Sequence, residues 1–159
     1  MNRKAQHLIF SATIMLFLFL LIITLFFDQI FLPRDANEHR YEAVKKEAVR
    51  LSDTLVLPGY PHDWQPGDVE RAGLTTDGQL NRTKLDNLAQ LASDDYNATK
   101  RLLGVRHDYA INISLPSGQR VIGRTPDDPR YHATQRRTLK DATTERTIHL
   151  TAHVYEASP

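Results

Sequence analysis

LIFSATIMLFLFLLIITLFF, Leu8 to Phe27, is an apolar run broken only by the hydroxyls of Ser11, Thr13 and Thr24 and preceded by the basic start MNRKAQH. At about 1.5 Å of rise per residue such a helix reaches about 30 Å, the thickness of a bilayer's hydrocarbon core, so the run predicts one transmembrane helix in contact with membrane lipid. Arg3 and Lys4 precede it, whereas Asp28, Arg34, Asp35 and Glu38 follow it with mixed sign. That asymmetry predicts a single-pass membrane protein with a cytoplasmic N-terminus and an extracytoplasmic C-terminal domain. A removable secretory signal fits less well. Its apolar core runs to about 7 to 15 residues and ends in small residues, whereas this run ends in LFFDQ, 25 to 29.

Outward from the apolar run, the chain divides into 1–32 (basic leader and transmembrane helix), 33–57 (amphipathic helical stalk) and 58–159 (an α+β domain). Residues 33 to 159 suffice for one compact domain and not for two sizeable cores. Lys and Arg total 20 against 19 for Asp and Glu. That balance lacks the basic excess that nucleic acid would require, and nucleic acid is excluded as an expected partner. Cysteine is absent, which removes disulfides, thiolate metal sites and a cysteine nucleophile together.

Past Pro33, which kinks or restarts the helix, Tyr41, Val44, Ala48, Leu51 and Leu55 recur at spacings of three and four, the stripe of an amphipathic helix. Glu42 and Lys46 stand in the favourable i,i+4 order on its polar side. The segment PGYPHDWQPGDVERAGLTTDGQL, Pro58 to Leu80, is dense in Pro and Gly and reads as a long loop, extended over Val69 to Leu74 and turning at Asp77-Gly78. Tyr60 and Trp64 are either a surface contact or aromatic pins that fasten this loop to the core. Two short helices follow: one carries Leu85, Leu88 and Leu91, and the other runs from Asp94 to Leu103 and closes at Gly104.

The period then changes to two. DYAINISL, Asp108 to Leu115, alternates as a half-buried strand and turns at Pro116-Ser117-Gly118 into QRVIGR. RTIHLTAHVY, Arg146 to Tyr155, alternates likewise and pairs with residues 134 to 141 across Ala142-Thr143-Thr144. The expected architecture is therefore α+β: an N-terminal transmembrane helix extended by a helical stalk, short helices, then an antiparallel sheet of about four strands.

No contiguous catalytic pattern occurs: there is no Gly-rich phosphate loop, no G-x-S-x-G elbow and no zincin helix. His149 and His153 would share a helix face, but on a strand they lie about 13 Å apart, too far to hold one ion. His62-Asp63 and His107-Asp108 are chain neighbours, which on a strand point to opposite faces. The expectation is no enzyme, no cofactor and no metal site. Asn81-Arg82-Thr83, Asn97-Ala98-Thr99 and Asn112-Ile113-Ser114 are N-glycosylation acceptor patterns, and equally ordinary cap and strand residues.

Several strings are similar to those of an archaeal family of class III signal, type IV pilin-like membrane-anchored proteins. They are Arg3-Lys4-Ala5-Gln6, the G-Y-P-x-x-W of Gly59 to Trp64, Gly73-Leu74, the NRTKL of Asn81 to Leu85, and YNATKRLLGVRHDYAINISL from Tyr96 to Leu115. The resemblance covers nearly the whole chain. It implies cleavage between Ala5 and Gln6 by a prepilin-type peptidase, removing the leader and keeping the apolar helix. It also implies other pilin-like subunits as partners and a role as a minor subunit of a cell-surface filament or export machine. Phe10 stands where bacterial major pilins carry a glutamate. The alternative reading is a single-pass, membrane-anchored binding module that does not polymerise.

Overall fold

The computed structural model describes residues 3–157, with side chains at 10, 12–27 and 37–157. The expectations at Ala5, Gln6 and Pro33 lie outside the residues so described. Two compact units emerge, residues 1–40 and residues 41–159.

The helix α1 (Arg3–Leu55) contributes residues to both units, and its part in the first carries large apolar side chains on every face. From Ile14 to Ile23 each is exposed, from 37% at Ile23 to 72% at Phe17. The transmembrane expectation is corrected: among the described residues no helix is long and apolar enough to cross a membrane. The helix then runs on into the charged sequence between Glu38 and Lys46. The single-pass placement, with a cytoplasmic N-terminus and an extracytoplasmic domain, falls with the transmembrane span.

In the second unit Val44, Ala48, Leu51 and Leu55 of α1 are buried, one residue per turn as their spacing demands. Tyr41 stays exposed, and Glu42 pairs with Lys45 at 3.2 Å rather than with Lys46. The chain then makes a loop in which Tyr60 N–H donates to Arg71 O at 2.8 Å and Leu74 N–H to Leu55 O at 2.9 Å. Within Val69 to Leu74 one isolated antiparallel bridge joins Arg71 to Tyr60. The first two named strands are β1 (Thr75–Thr76) and β2 (Gln79–Leu80). Asp77 (φ 52°) and Gly78 (φ 76°) join them, both in the left-handed region that a tight hairpin turn requires.

Two helices follow, α2 (Arg82–Asp94) and α3 (Tyr96–Leu102). Asn81 caps α2, accepting from Thr83 N–H at 2.9 Å and Lys84 N–H at 3.3 Å. Asp95 caps α3 through Ala98 N–H at 2.8 Å. The remaining strands are β3 (Asp108–Leu115), β4 (Gly118–Gly123), β5 (Pro129–Asp141) and β6 (Thr147–Ala157).

The expected antiparallel sheet of about four strands is corrected to a six-stranded mixed sheet in the order β1-β2-β5-β6-β3-β4. β2 runs parallel to β5, and the other pairings are antiparallel. Two-residue strands carry no alternation, so the pattern that marks β3 and β6 is silent for β1 and β2. One face of the sheet builds the core: Tyr109, Ile111 and Ile113 of β3 with Ile148, Leu150 and Val154 of β6, joined by Leu85 and Leu88 of α2 and the buried stripe of α1. Each such side chain contributes about 1.5 to 3 kcal/mol by leaving water.

Candidate functional site

Two surfaces stand out, one in each unit. The first is the apolar helix. Ile14 to Ile23 exposes ten consecutive positions, nearly three turns, without one that is polar or buried. Thr24 adds no unmet polar group, because its hydroxyl donates to Leu20 O at 2.8 Å. A helix that is apolar all round belongs in an interior, and an exposed patch of this extent marks an interaction surface.

The second is the face of the sheet opposite the core. Alternation puts His132, Thr134, Arg136, Thr138 and Lys140 of β5 on it, beside His149, Thr151, His153 and Tyr155 of β6. No carboxylate interrupts this set.

Within that face three rings converge. The His132 ring lies 4.7 Å from that of Tyr155 at an interplanar angle of 10°, and 5.4 Å from that of His153 at 15°. His132 Nε2 and His153 Nδ1 are 3.1 Å apart. Thr134 Oγ1 lies 2.9 Å from the first nitrogen and 3.2 Å from the second. The other nitrogen of His153, Nε2, lies 3.3 Å from the side-chain amide of Asn112 on β3. Register explains the meeting: Thr134 sits directly opposite His153, and His132 opposite Tyr155. Burial, and secondarily the neighbouring His132, pushes the His153 pKa below its usual value.

The residues singled out from sequence divide among different environments. Trp64 is 1% exposed and donates its indole N–H to Gly73 O at 2.9 Å, so it is a pin of the loop and not a surface contact. Tyr60 is 56% exposed. Asn81 spends its side chain on the α2 cap and on a hydrogen bond from Nδ2 to Thr76 Oγ1, 3.1 Å away. Asn97 is exposed on α3, whereas Asn112 is half-buried in the sheet. His62 and Asp63 occupy a turn rather than a strand and touch at 3.2 Å in solvent. His107 pairs with Glu47, and Asp108 with Lys100 at 3.0 Å.

His132, Thr134 and Tyr155 were not singled out from sequence. His149 and His153 share β6, but the partner that reaches His153 comes from β5, 21 residues earlier in the chain. Only the register of two long strands makes that pair visible.

Comparison with protein-family profiles, curated proteins and solved structures finds no match to this chain. The pilin-like resemblance therefore rests on the sequence strings alone.

Proposed function

We propose that this chain is an assembling subunit, which associates with copies of itself or with like subunits through its apolar helix in the manner of type IV pilin-like filament proteins. The observation that supports this reading is the uninterrupted apolar shell from Ile14 to Ile23, exposed on every side. Covering one face would leave the others in water, so a single docking contact is a poor cover and a bundle of like helices a good one. Each large apolar side chain taken from water there contributes about 1.5 to 3 kcal/mol. No charge lies between Ala12 and Phe27, so bundling meets no buried ionic penalty. The reading assigns the chain no reaction.

Sedimentation velocity and negative-stain imaging of the full chain test it. The expected result is a large or filamentous species that Phe17→Glu with Leu21→Glu, four residues apart on one helix face, reduces to monomer. A wild-type chain that sediments as a monomer at all concentrations overturns it and favours the non-polymerising binding module.

A further inference from the structure

We infer that His132 and His153 form a two-imidazole site for a first-row divalent cation of the zinc, copper or nickel kind, with Thr134 and water completing its shell. Along β6 His153 has His149 four residues away, too far to share an ion, whereas His132 reaches it across two strands.

The geometry is that of a shared ion. Two nitrogens 3.1 Å apart, each about 2.0 to 2.1 Å from a metal, subtend about 100° at it, between the square-planar and tetrahedral angles. Thr134 Oγ1, 2.9 and 3.2 Å from the two nitrogens, lies on the same approach and supplies a neutral oxygen. No group of three His, Cys, Asp or Glu converges among the described residues. The protein's contribution is thus two imidazoles and a hydroxyl, leaving open positions for water.

The rings are held in place before any ion arrives. His132 stacks on Tyr155, which is 7% exposed, and both histidines sit inside long paired strands rather than on loops. A third residue reaches the pair from the next strand: the side-chain amide of Asn112 on β3 lies 3.3 Å from His153 Nε2. Turning the amide by half a revolution, which exchanges two nearly identical atoms, lets Oδ1 accept the Nε2 proton. That hydrogen bond fixes the His153 tautomer and leaves the lone pair on Nδ1, the nitrogen nearer His132. An outer carbonyl that holds the distal N–H of a ligating histidine is the usual support of such a ligand.

Calorimetric titration of the untagged full chain with zinc chloride, and separately with nickel chloride, tests the site. One ion binds per chain. His132→Gln and His153→Gln each abolish saturable binding, whereas His149→Gln, on the same strand and face, leaves it unchanged. Asn112→Leu weakens binding about tenfold, the effect of losing the outer hydrogen bond. Thermal melts show that each variant folds, and only chains that retain both ligands gain thermal stability on adding zinc. Absence of saturable binding by the folded wild type overturns the proposal. So does binding that survives either glutamine substitution, or binding that His149→Gln removes as fully as His132→Gln.

Discussion

Arg82, the first residue of α2, holds Asp141, the last residue of β5, by two hydrogen bonds of 2.6 and 3.2 Å. The carboxylate is fully buried and also accepts from Thr144 Oγ1 at 2.6 Å and from Thr143 N–H at 3.3 Å. One side chain thus ties a helix start, a strand end and the turn before β6. The Arg82 guanidinium foremost, then the Thr144 hydroxyl, keep the Asp141 pKa well below the usual carboxylate range.

A depressed folded-state pKa contributes stability that is present above the unfolded value of 3.8 and is lost as pH falls below it toward the folded value. Urea unfolding between about pH 2.5 and 7 is expected to show wild-type stability falling steeply at the acid end. Asp141→Asn lowers stability at neutral pH and flattens the acid limb. An acid limb of unchanged slope in Asp141→Asn shows that other groups carry it.

Gly73 is required by crowding. A Cβ there would stand 2.2 Å from Leu57 O and 2.4 Å from Gly59 N, both backbone atoms that side-chain motion cannot relieve. Gly73→Ala is expected to cost about 2 to 4 kcal/mol, since the loop must part from the end of α1. Trp64→Phe costs about 1 to 3 kcal/mol by leaving Gly73 O without its buried donor. Denaturant melts measure both, and a Gly73→Ala midpoint equal to that of wild type contradicts the crowding.

The parts of this fold legible in sequence are those with a sustained period. Val44, Ala48, Leu51 and Leu55 could be assigned to one buried face, and Tyr109, Ile111 and Ile113 to another, because burial imposes spacings of 3.6 and 2 on enough residues to be counted. β1 and β2 are too short to show a period, and the parallel pairing of β2 with β5 joins Leu80 to Asp141 across 61 positions with no local signal. The apolar run at Leu8 to Phe27 was legible as apolarity. Its assignment to a bilayer is not upheld, since among the described residues no helix is long and apolar enough to cross a membrane. The histidine cluster was hidden for the same reason as β2: its members are far apart in sequence and meet only through register.

Asn81 separates two readings that sequence left open. Its side-chain oxygen accepts two backbone N–H groups at the start of α2, and its nitrogen donates to Thr76. Asn81→Ala is expected to lose about 1 kcal/mol, while Asn81→Asp keeps most of the cap. Equal melting of Asn81→Ala and wild type in unglycosylated protein removes the capping role. Asn97 is the acceptor with an exposed side chain. Expression in a glycosylating host is expected to add sugar there before Asn81 or Asn112, as site-resolved mass spectrometry reads.

The pilin-like reading makes a chemical demand of its own, independent of assembly. Arg3 and Lys4, followed by the small residue Ala5, stand before Gln6, the arrangement that a prepilin-type peptidase cuts in the family the chain resembles. Co-expression of the full chain with such a peptidase is expected to yield a product that begins at Gln6, lighter by the mass of MNRKA. Ala5→Trp, which places a large ring beside the scissile bond, blocks the loss without touching the apolar helix. Intact-mass measurement distinguishes the outcomes. A chain that keeps Met1 or Asn2 in the presence of active peptidase removes the processing step. A bundle found by sedimentation in that case is an assembly of another kind, held by the same apolar side chains without the maturation that defines a pilin.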